Sequence, residues 1–175
     1  MADVMGAEPD TRPVVVYVED DADTFKLACL RLKTRYRLLW AKNDREAADL
    51  LTHHRRELFA VLMDIELAGS VLDGLALTQL LRGRAIGKAL PDFAQKLPVL
   101  PNLPIILLTA YTTRYTEAET KAFGASHFAT KPIDFTRLSL ALAQANIKAV
   151  MQRLEPMASP EKVAVPPPRR SPGSR

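Results

Sequence analysis

The sequence predicts an α/β sandwich built on a parallel β-sheet. Three short apolar segments, residues 14–18, 58–63 and 105–108, are each followed by a polar residue. Continuous apolar runs of this length are typical of strands that are buried on both faces, as in parallel sheets. Segments with helical spacing of apolar residues separate them. The alternation of strand and helix therefore favours one α/β sandwich with right-handed crossovers.

Two weaker segments, residues 37–41 and 127–130, bring the number of expected strands to five. Asn43 or Asp44 is the expected N-cap of the second helix, and Gly124 suits the C-terminal end of the fourth. Each expected strand is followed by one expected helix. The helices are predicted at residues 21–33, 44–56, 73–82, 114–123 and 135–154.

Two segments interrupt this rhythm. Residues 83–103 are long for a helix-to-strand connection and contain several prolines, with a short helix predicted at residues 88–96. Residues 155–175 hold six of the 13 prolines, which predicts a disordered tail rich in proline and arginine. Residues 1–12 are expected to be a disordered N-terminal segment, so that the folded domain spans residues 13–154.

Composition excludes several classes of protein. The net charge of +4 is modest, and its clearest basic cluster lies in the predicted tail, so no nucleic-acid partner is predicted. The single cysteine, Cys29, excludes a disulfide within the chain. No apolar run is long enough to span a membrane, and residues 1–12 lack an apolar signal segment. A cytoplasmic protein is therefore expected.

Polar side chains with chemical potential follow the expected strands. Ligands of open parallel sheets bind at the carboxyl ends of the strands, so these side chains are expected to converge. The residues are Glu19, Asp20 and Asp21 after the first strand, Asp64 after the third, Thr109 after the fourth and Lys131 after the fifth.

This convergence predicts phosphate chemistry. Crowded carboxylates need a cation, and oxygen ligands suit Mg²⁺, which also accepts phosphate oxygens. A carboxylate such as Asp64 can act as a nucleophile and form an aspartyl-phosphate. Lys131 and Thr109 would then help to hold the phosphoryl oxygens, because catalysis of this kind is mainly positioning and charge neutralisation.

The order of these motifs resembles the receiver domain of two-component response regulators. The resemblance covers about residues 13–154, and it implies a flavodoxin-like, doubly wound (βα)5 sandwich with strand order 2-1-3-4-5. The matching segments are Val18-Glu19-Asp20-Asp21, Leu62-Met63-Asp64-Ile65, Asp73-Gly74, Leu108-Thr109-Ala110, Phe123-Gly124-Ala125 and Thr130-Lys131-Pro132.

The resemblance also implies a role for each matching residue. Asp64 would accept phosphate from a histidine kinase or a histidine phosphotransfer protein. Glu19, Asp20 and Asp64 would hold Mg²⁺ together with the backbone carbonyl of Glu66. Lys131 would pair with a phosphoryl oxygen.

A second set of implied roles concerns signalling. Thr109 and Phe128 would act as the switch pair that reports phosphorylation to the surface of the fourth helix, fifth strand and fifth helix. That surface would contact a downstream protein or form a homodimer. The protein would not be an enzyme, beyond assisting its own phosphotransfer and autodephosphorylation. Because little chain follows the fifth helix, a stand-alone receiver is expected.

Other interpretations remain open at this level. A degenerate receiver would keep the fold and bind partners without phosphate, and the loop after Asp64 and the 83–103 connection are both longer than usual for the family. A phosphatase of the haloacid dehalogenase class uses similar residues, but its nucleophile lies in an Asp-x-Asp motif that is missing around Asp64. Thr109 has a structural alternative as the cap of the fourth helix.

Overall fold

The computed structural model describes residues 10–110 and 115–154. Its five strands are parallel and lie in the order β2-β1-β3-β4-β5, which confirms the predicted fold class and strand order. Each predicted strand is present, and two of them extend by one residue to include Asp64 and Thr109. The strands are β1 (Val14–Val18), β2 (Arg37–Ala41), β3 (Leu58–Asp64), β4 (Ile105–Thr109) and β5 (His127–Thr130).

Helices connect the strands in the predicted order. The connection between the third helix and β4 contains a single short 3-10 helix, Asp92–Lys96, which is shorter than the helix predicted at residues 88–96. The α-helices are α1 (Ala22–Leu32), α2 (Asp44–His53), α3 (Gly74–Leu81), α4 (Glu117–Ala122) and α5 (Phe135–Leu154). None of the described helices is long and apolar enough to cross a membrane.

The core consists of two apolar layers, one on each face of the sheet. Successive residues of a strand point to opposite faces, so Val16 and Val18 pack in the layer with α2 and α3. Val15 and Tyr17 pack in the other layer, against residues of α1 and α5. Because both faces are covered, the strands read as unbroken apolar runs rather than alternating ones.

Local capping explains where the helices begin. Asp21, Asn43 and Asp73 each accept a hydrogen bond from a backbone N–H in the first turn of α1, α2 and α3. The cap of α4 is Thr116, which forms a reciprocal capping box with Glu119. The alternative of Thr109 as this cap is therefore wrong. The predicted start of α4 at residue 114 lies outside the described residues, and the capped helix begins at Glu117.

The 83–103 connection is a packed part of the domain. Its apolar side chains, including Phe93, Leu97 and Leu100, pack against the core layer formed with α2 and α3. Arg82, at the C-terminal end of α3, holds this connection through hydrogen bonds. Its guanidinium donates from Nη1 to the carbonyl of Leu100 (2.6 Å) and from Nη2 to that of Leu103 (2.8 Å). The connection therefore has a fixed path toward β4.

The predicted domain boundaries fall partly beyond the described residues. Residues 1–9 lie outside them, as does the whole of the predicted tail, residues 155–175. The described elements, from β1 to α5, lie within the predicted domain of residues 13–154.

Candidate functional site

Three carboxylates meet at the carboxyl ends of β1 and β3. Oxygen atoms of Glu19, Asp20 and Asp64 all lie within 4.8 Å of one another. Glu19 and Asp64 are buried, whereas Asp20 is exposed. The strands adjoin each other, with Val18 opposite Met63, so the residues that follow this pair come together. The structure thus brings together the three carboxylates that the sequence predicted as metal ligands.

Lys131 lies against the two buried carboxylates. Its Nζ is 2.6 Å from Asp64 Oδ2 and 2.7 Å from Glu19 Oε2. The Lys131 backbone N–H donates to the carbonyl of Thr109 (2.7 Å), which ties this residue to the end of β4. The Lys131–Pro132 peptide bond is cis. Although burial disfavours its charge, the hydrogen bonds to Asp64 and Glu19 raise the pKa of Lys131 overall.

Aromatic residues surround Glu19. The Tyr17 hydroxyl lies 3.3 Å from Glu19 Oε2, and the Trp40 Nε1–H donates to the backbone carbonyl of Glu19 (2.7 Å). Phe25 stacks on Trp40 with ring centroids 4.7 Å apart. No role at the site was predicted for Trp40. Its position near the end of β2, beside β1, could have indicated one, because a buried indole N–H needs a hydrogen-bond acceptor.

Burial raises the pKa of Glu19 from its usual value of 4.5 to about 7, against the opposing effect of its hydrogen bond to Lys131. The negative charge of Asp64 raises it further. A carboxyl group in this state binds a proton more tightly in the folded than in the unfolded chain. Its stabilising effect is therefore complete below the unfolded pKa and is lost as pH rises through the folded pKa.

We expect the metal-free protein to lose about 3 kcal/mol of unfolding free energy between pH 4.5 and pH 8 because of Glu19. Chemical denaturation in EDTA at a series of pH values measures this loss. The Glu19→Gln variant, which does not titrate at this position, should lack that part of the slope. An unchanged slope in the variant would show that other groups cause the pH dependence.

The loop after β3 closes over the carboxylates. The Glu66 N–H donates to Asp64 Oδ1 (3.2 Å), and the Ala68 N–H donates to Asp20 Oδ2 (3.1 Å). Both bonds leave backbone groups of the loop beside the acidic cluster. Glu66, whose backbone carbonyl was predicted as a metal ligand, therefore contacts the site. Binding of a metal by this carbonyl stays a prediction.

Asp44 anchors the same loop from α2. This buried carboxylate accepts hydrogen bonds at Oδ2 from the N–H groups of Val71 and Leu72, each at 2.9 Å. The Asp44 N–H donates to Ser70 Oγ (3.2 Å). From the sequence, Asp44 was predicted only as a residue at the start of the second helix. Its loop partners are 26 to 28 residues away, so no local pattern could have shown this role.

The predicted switch residues lie on neighbouring strands. Thr109 is fully buried at the end of β4, opposite Thr130 in the sheet register. Phe128 lies opposite Leu107 and is half-buried against the core layer of α2 and α3. Thr109 thus lies at the same end of the sheet as the acidic cluster, whereas Phe128 lies among apolar residues. A switch role for the pair stays a prediction.

The donor atoms at this edge suit a hard divalent cation. Carboxylate oxygens with one exposed member leave room for water, which Mg²⁺ usually keeps in its coordination shell. Glu19, Asp20 and Asp64 are the residues that would hold it. Lys131 already neutralises part of the same negative charge.

Comparison with known proteins identifies the family. The family model of the response regulator receiver domain matches residues 15–143, which is most of the chain and includes all five strands except the first residue of β1. This chain belongs to the response regulator receiver domain family. Receiver domains serve two-component response regulators, bind Mg²⁺ through acidic residues and interact with histidine kinases or phosphotransfer proteins. No curated protein matches the chain.

Solved structures of receiver domains are similar to this receiver. The receiver domain of NtrX from Brucella abortus is 25% identical, with a TM-score of 0.60, and the match covers 76% of this chain and 98% of that one. A receiver domain protein from Clostridium thermocellum is 16% identical, with a TM-score of 0.65, over 79% of this chain and 98% of that one. The second likeness shows the fold alone.

Longer relatives match only in part. A crystal structure of NtrX from Brucella abortus is 24% identical, with a TM-score of 0.64, over 82% of this chain but only 29% of that one. The chain therefore spans less than a third of that structure's length. The likeness is confined to the receiver fold.

Proposed function

We propose that this receiver takes a phosphoryl group onto Asp64 from the phosphohistidine of a histidine kinase or a histidine phosphotransfer protein. The observation that carries the proposal is the contact of Lys131 Nζ with Asp64 Oδ2 at 2.6 Å inside a cluster of three carboxylates. A lysine and an acidic cluster at one carboxylate are the groups that phosphoryl transfer to that carboxylate requires. The family assignment supports the same role.

The transfer replaces one bond to phosphorus by another. An oxygen of Asp64 forms a bond to phosphorus as the bond from phosphorus to the histidine nitrogen breaks, and the electron pair of that bond stays on the imidazole. Bound Mg²⁺ would neutralise charge on the phosphoryl oxygens. The attacking group would be a carboxylate oxygen of Asp64, the type of nucleophile that forms an aspartyl-phosphate.

Lys131 would exchange partners during the reaction. Its ammonium now neutralises Glu19 and Asp64. When Asp64 becomes an acyl phosphate, its carboxylate charge is lost and the phosphoryl oxygens carry charge instead. Lys131 has three N–H donors and can turn toward a phosphoryl oxygen while it remains close to Glu19. Thr109, at the end of the adjacent β4, is the hydroxyl that we propose to reorient toward the same group.

The output in this proposal is a protein contact. Thr109 and Phe128 would relay phosphorylation to the surface of α4, β5 and α5, which would bind a downstream protein or a second copy of the chain. The receiver would catalyse no reaction beyond its own phosphorylation and dephosphorylation. We propose that it works in the cytoplasm. The described residues offer no observation that favours a degenerate receiver, because Glu19, Asp20, Asp64 and Lys131 all lie at one site.

Incubation with Mg²⁺ and acetyl phosphate, followed by intact-mass measurement, tests the proposal. The wild-type receiver should gain the mass of one phosphoryl group, and Asp64→Asn should gain none. Asp49→Asn is the matched control, because Asp49 is an exposed aspartate of α2. No gain on the wild type, or equal gain on the wild type and Asp64→Asn, would refute the role of Asp64.

A further inference from the structure

A second polar hollow lies at the opposite end of the sheet from Asp64. It has a volume of about 410 Å³ and lies between the start of β5, the end of α4 and the face of α5. Five of its twelve lining residues are basic, and none is aspartate or glutamate. These five, which we call the basic pocket, are Arg82, Arg84, Lys121, His127 and Lys148.

Most of the positive charge in the basic pocket has no counter-ion. Arg82 donates all its described hydrogen bonds to backbone carbonyls, those of Leu100, Leu103 and Gly124. Arg84 donates to the carbonyl of Ala122. Among the described residues, only Lys121 of the five forms an ion pair, an exposed one with Glu117. A neutral carbonyl satisfies the hydrogen bonds of an arginine but leaves its charge unneutralised.

Two residues of the basic pocket have lowered pKa values, and neighbouring positive charge is a secondary cause in each. Burial and then the charge of Arg84 lower the pKa of Arg82 to about 10. Burial lowers the pKa of His127, and the charges of Lys121 and Lys148 lower it further, against the opposing effect of Glu117. Because neighbouring cations add to the effect of burial, a bound anion would favour the charged forms of Arg82 and His127.

The location separates this pocket from the phosphorylation site. His127 begins β5, whereas Lys131 follows its last residue, and the strands are parallel. A strand of four residues is about 13 Å long at about 3.3 Å per residue. An anion in the basic pocket would therefore not occupy the site of Asp64.

From this arrangement we propose that the basic pocket binds a small anion that carries two or more phosphate groups. The volume lies within the range of pockets that hold small ligands, which is roughly 300–1,000 Å³. Several cations from three separate elements match a ligand with several negative charges, and arginine with lysine is the usual combination for phosphate. The bound anion would join α4, the 83–103 connection and α5 through Lys121, Arg84 and Lys148.

Calorimetric titration with inorganic pyrophosphate in EDTA at low salt tests this site. Lys148→Ala should weaken binding about tenfold, since a charge-assisted contact to phosphate is lost. Arg137→Ala is the matched control, because it removes one positive charge from the same helix at a residue outside the basic pocket, whose ion pair among the described residues is with Asp134. That variant should change affinity less than about twofold. Lys148→Arg should restore binding.

Two outcomes of the calorimetry would overturn the proposal. One is a lack of binding heat for the wild-type protein with millimolar pyrophosphate. The other is equal weakening by Lys148→Ala and Arg137→Ala, which would show diffuse attraction to the net charge.

Nuclear magnetic resonance gives a second measurement. Bound pyrophosphate should raise the pKa of His127 and leave the Asp64 and Lys131 signals in place. Succinate at the same concentration should change neither the pKa of His127 nor those signals. Shifts confined to Asp64 and Lys131 would also contradict the proposal.

Discussion

Replacing Gly74 with alanine should lower the free energy of unfolding by about 3 kcal/mol or more and prevent phosphorylation of Asp64. A Cβ atom at this position would lie 2.0 Å from the backbone oxygen of Asp64 and 2.9 Å from Met63 Cγ. The clash is with the backbone of β3, which cannot move without shifting Asp64. Urea denaturation measures the stability, and intact mass after acetyl phosphate treatment measures phosphorylation.

The close approach has a local cause. The Gly74 N–H donates to the carbonyl of Ile65 (3.0 Å), and Asp73 caps the helix that begins at Gly74. These contacts draw the start of α3 onto the end of β3. Gly87→Ala is a suitable control, because a Cβ there would meet nothing within 4 Å. Its positive φ of 68° should therefore be the main source of a cost of about 1 kcal/mol. Equal losses in the two variants would contradict the steric explanation.

Replacing Lys131 with alanine should destabilise the metal-free protein by about 3 kcal/mol at pH 8. The change leaves the buried carboxylates of Glu19 and Asp64 side by side without the cation that now contacts both. We expect saturating Mg²⁺ to restore most of the loss, because a bound cation neutralises the same charges. Phosphorylation by acetyl phosphate should remain at least about tenfold slower even in Mg²⁺, since one contact to the phosphoryl group is missing.

Lys121→Ala is the matched control for this prediction. Lys121 also forms an ion pair, with Glu117 at 2.8 Å, but both side chains are more than half exposed. Exposed pairs of this kind contribute about 0.5 kcal/mol or less. Urea denaturation with EDTA and with Mg²⁺ compares the two variants. A loss for Lys131→Ala that is as small as the control's, or that Mg²⁺ does not reduce, would show that Lys131 does not neutralise the site.

The local features of this receiver were predictable because they depend on residues close in sequence. The apolar runs predicted the five strands, and Asp21, Asn43 and Asp73 mark helix starts through bonds to residues only three positions ahead. The start of α4 also depends on residues close in sequence. Thr116 and Glu119 form a capping box three residues apart, although the helix was predicted to start earlier.

The meeting of the site residues was also predictable, through one rule of topology. Parallel strands present their carboxyl ends at the same edge, so polar residues that follow the apolar runs must approach one another. This brought Glu19, Asp20, Asp64 and Lys131 together in the prediction, and the structure has the three carboxylates within 4.8 Å. The chemistry of the site therefore follows from which residue type ends each strand.

Tertiary structure alone decided how these residues are paired. Lys131 contacts Glu19 and Asp64, while Asp20 stays exposed and accepts from the Ala68 N–H. Buried carboxylates need a counter-ion far more than an exposed one does, so depth in the fold selects the partners of the lysine. The burial of a side chain depends on how the sheet and helices pack, so no local sequence pattern predicts it.

The same reason explains the contacts that the sequence did not show. Trp40 reaches the carbonyl of Glu19 across 21 residues, and Arg82 reaches that of Gly124 across 42. Each bond satisfies a backbone group that other elements left without a partner, and such groups exist only after the sheet has formed. The sequence by itself thus predicted the fold, Asp64 as the candidate acceptor and the chemical groups around it. The folded chain determined which charges neutralise one another and which remain open, as in the basic pocket, because burial and long-range contacts set both.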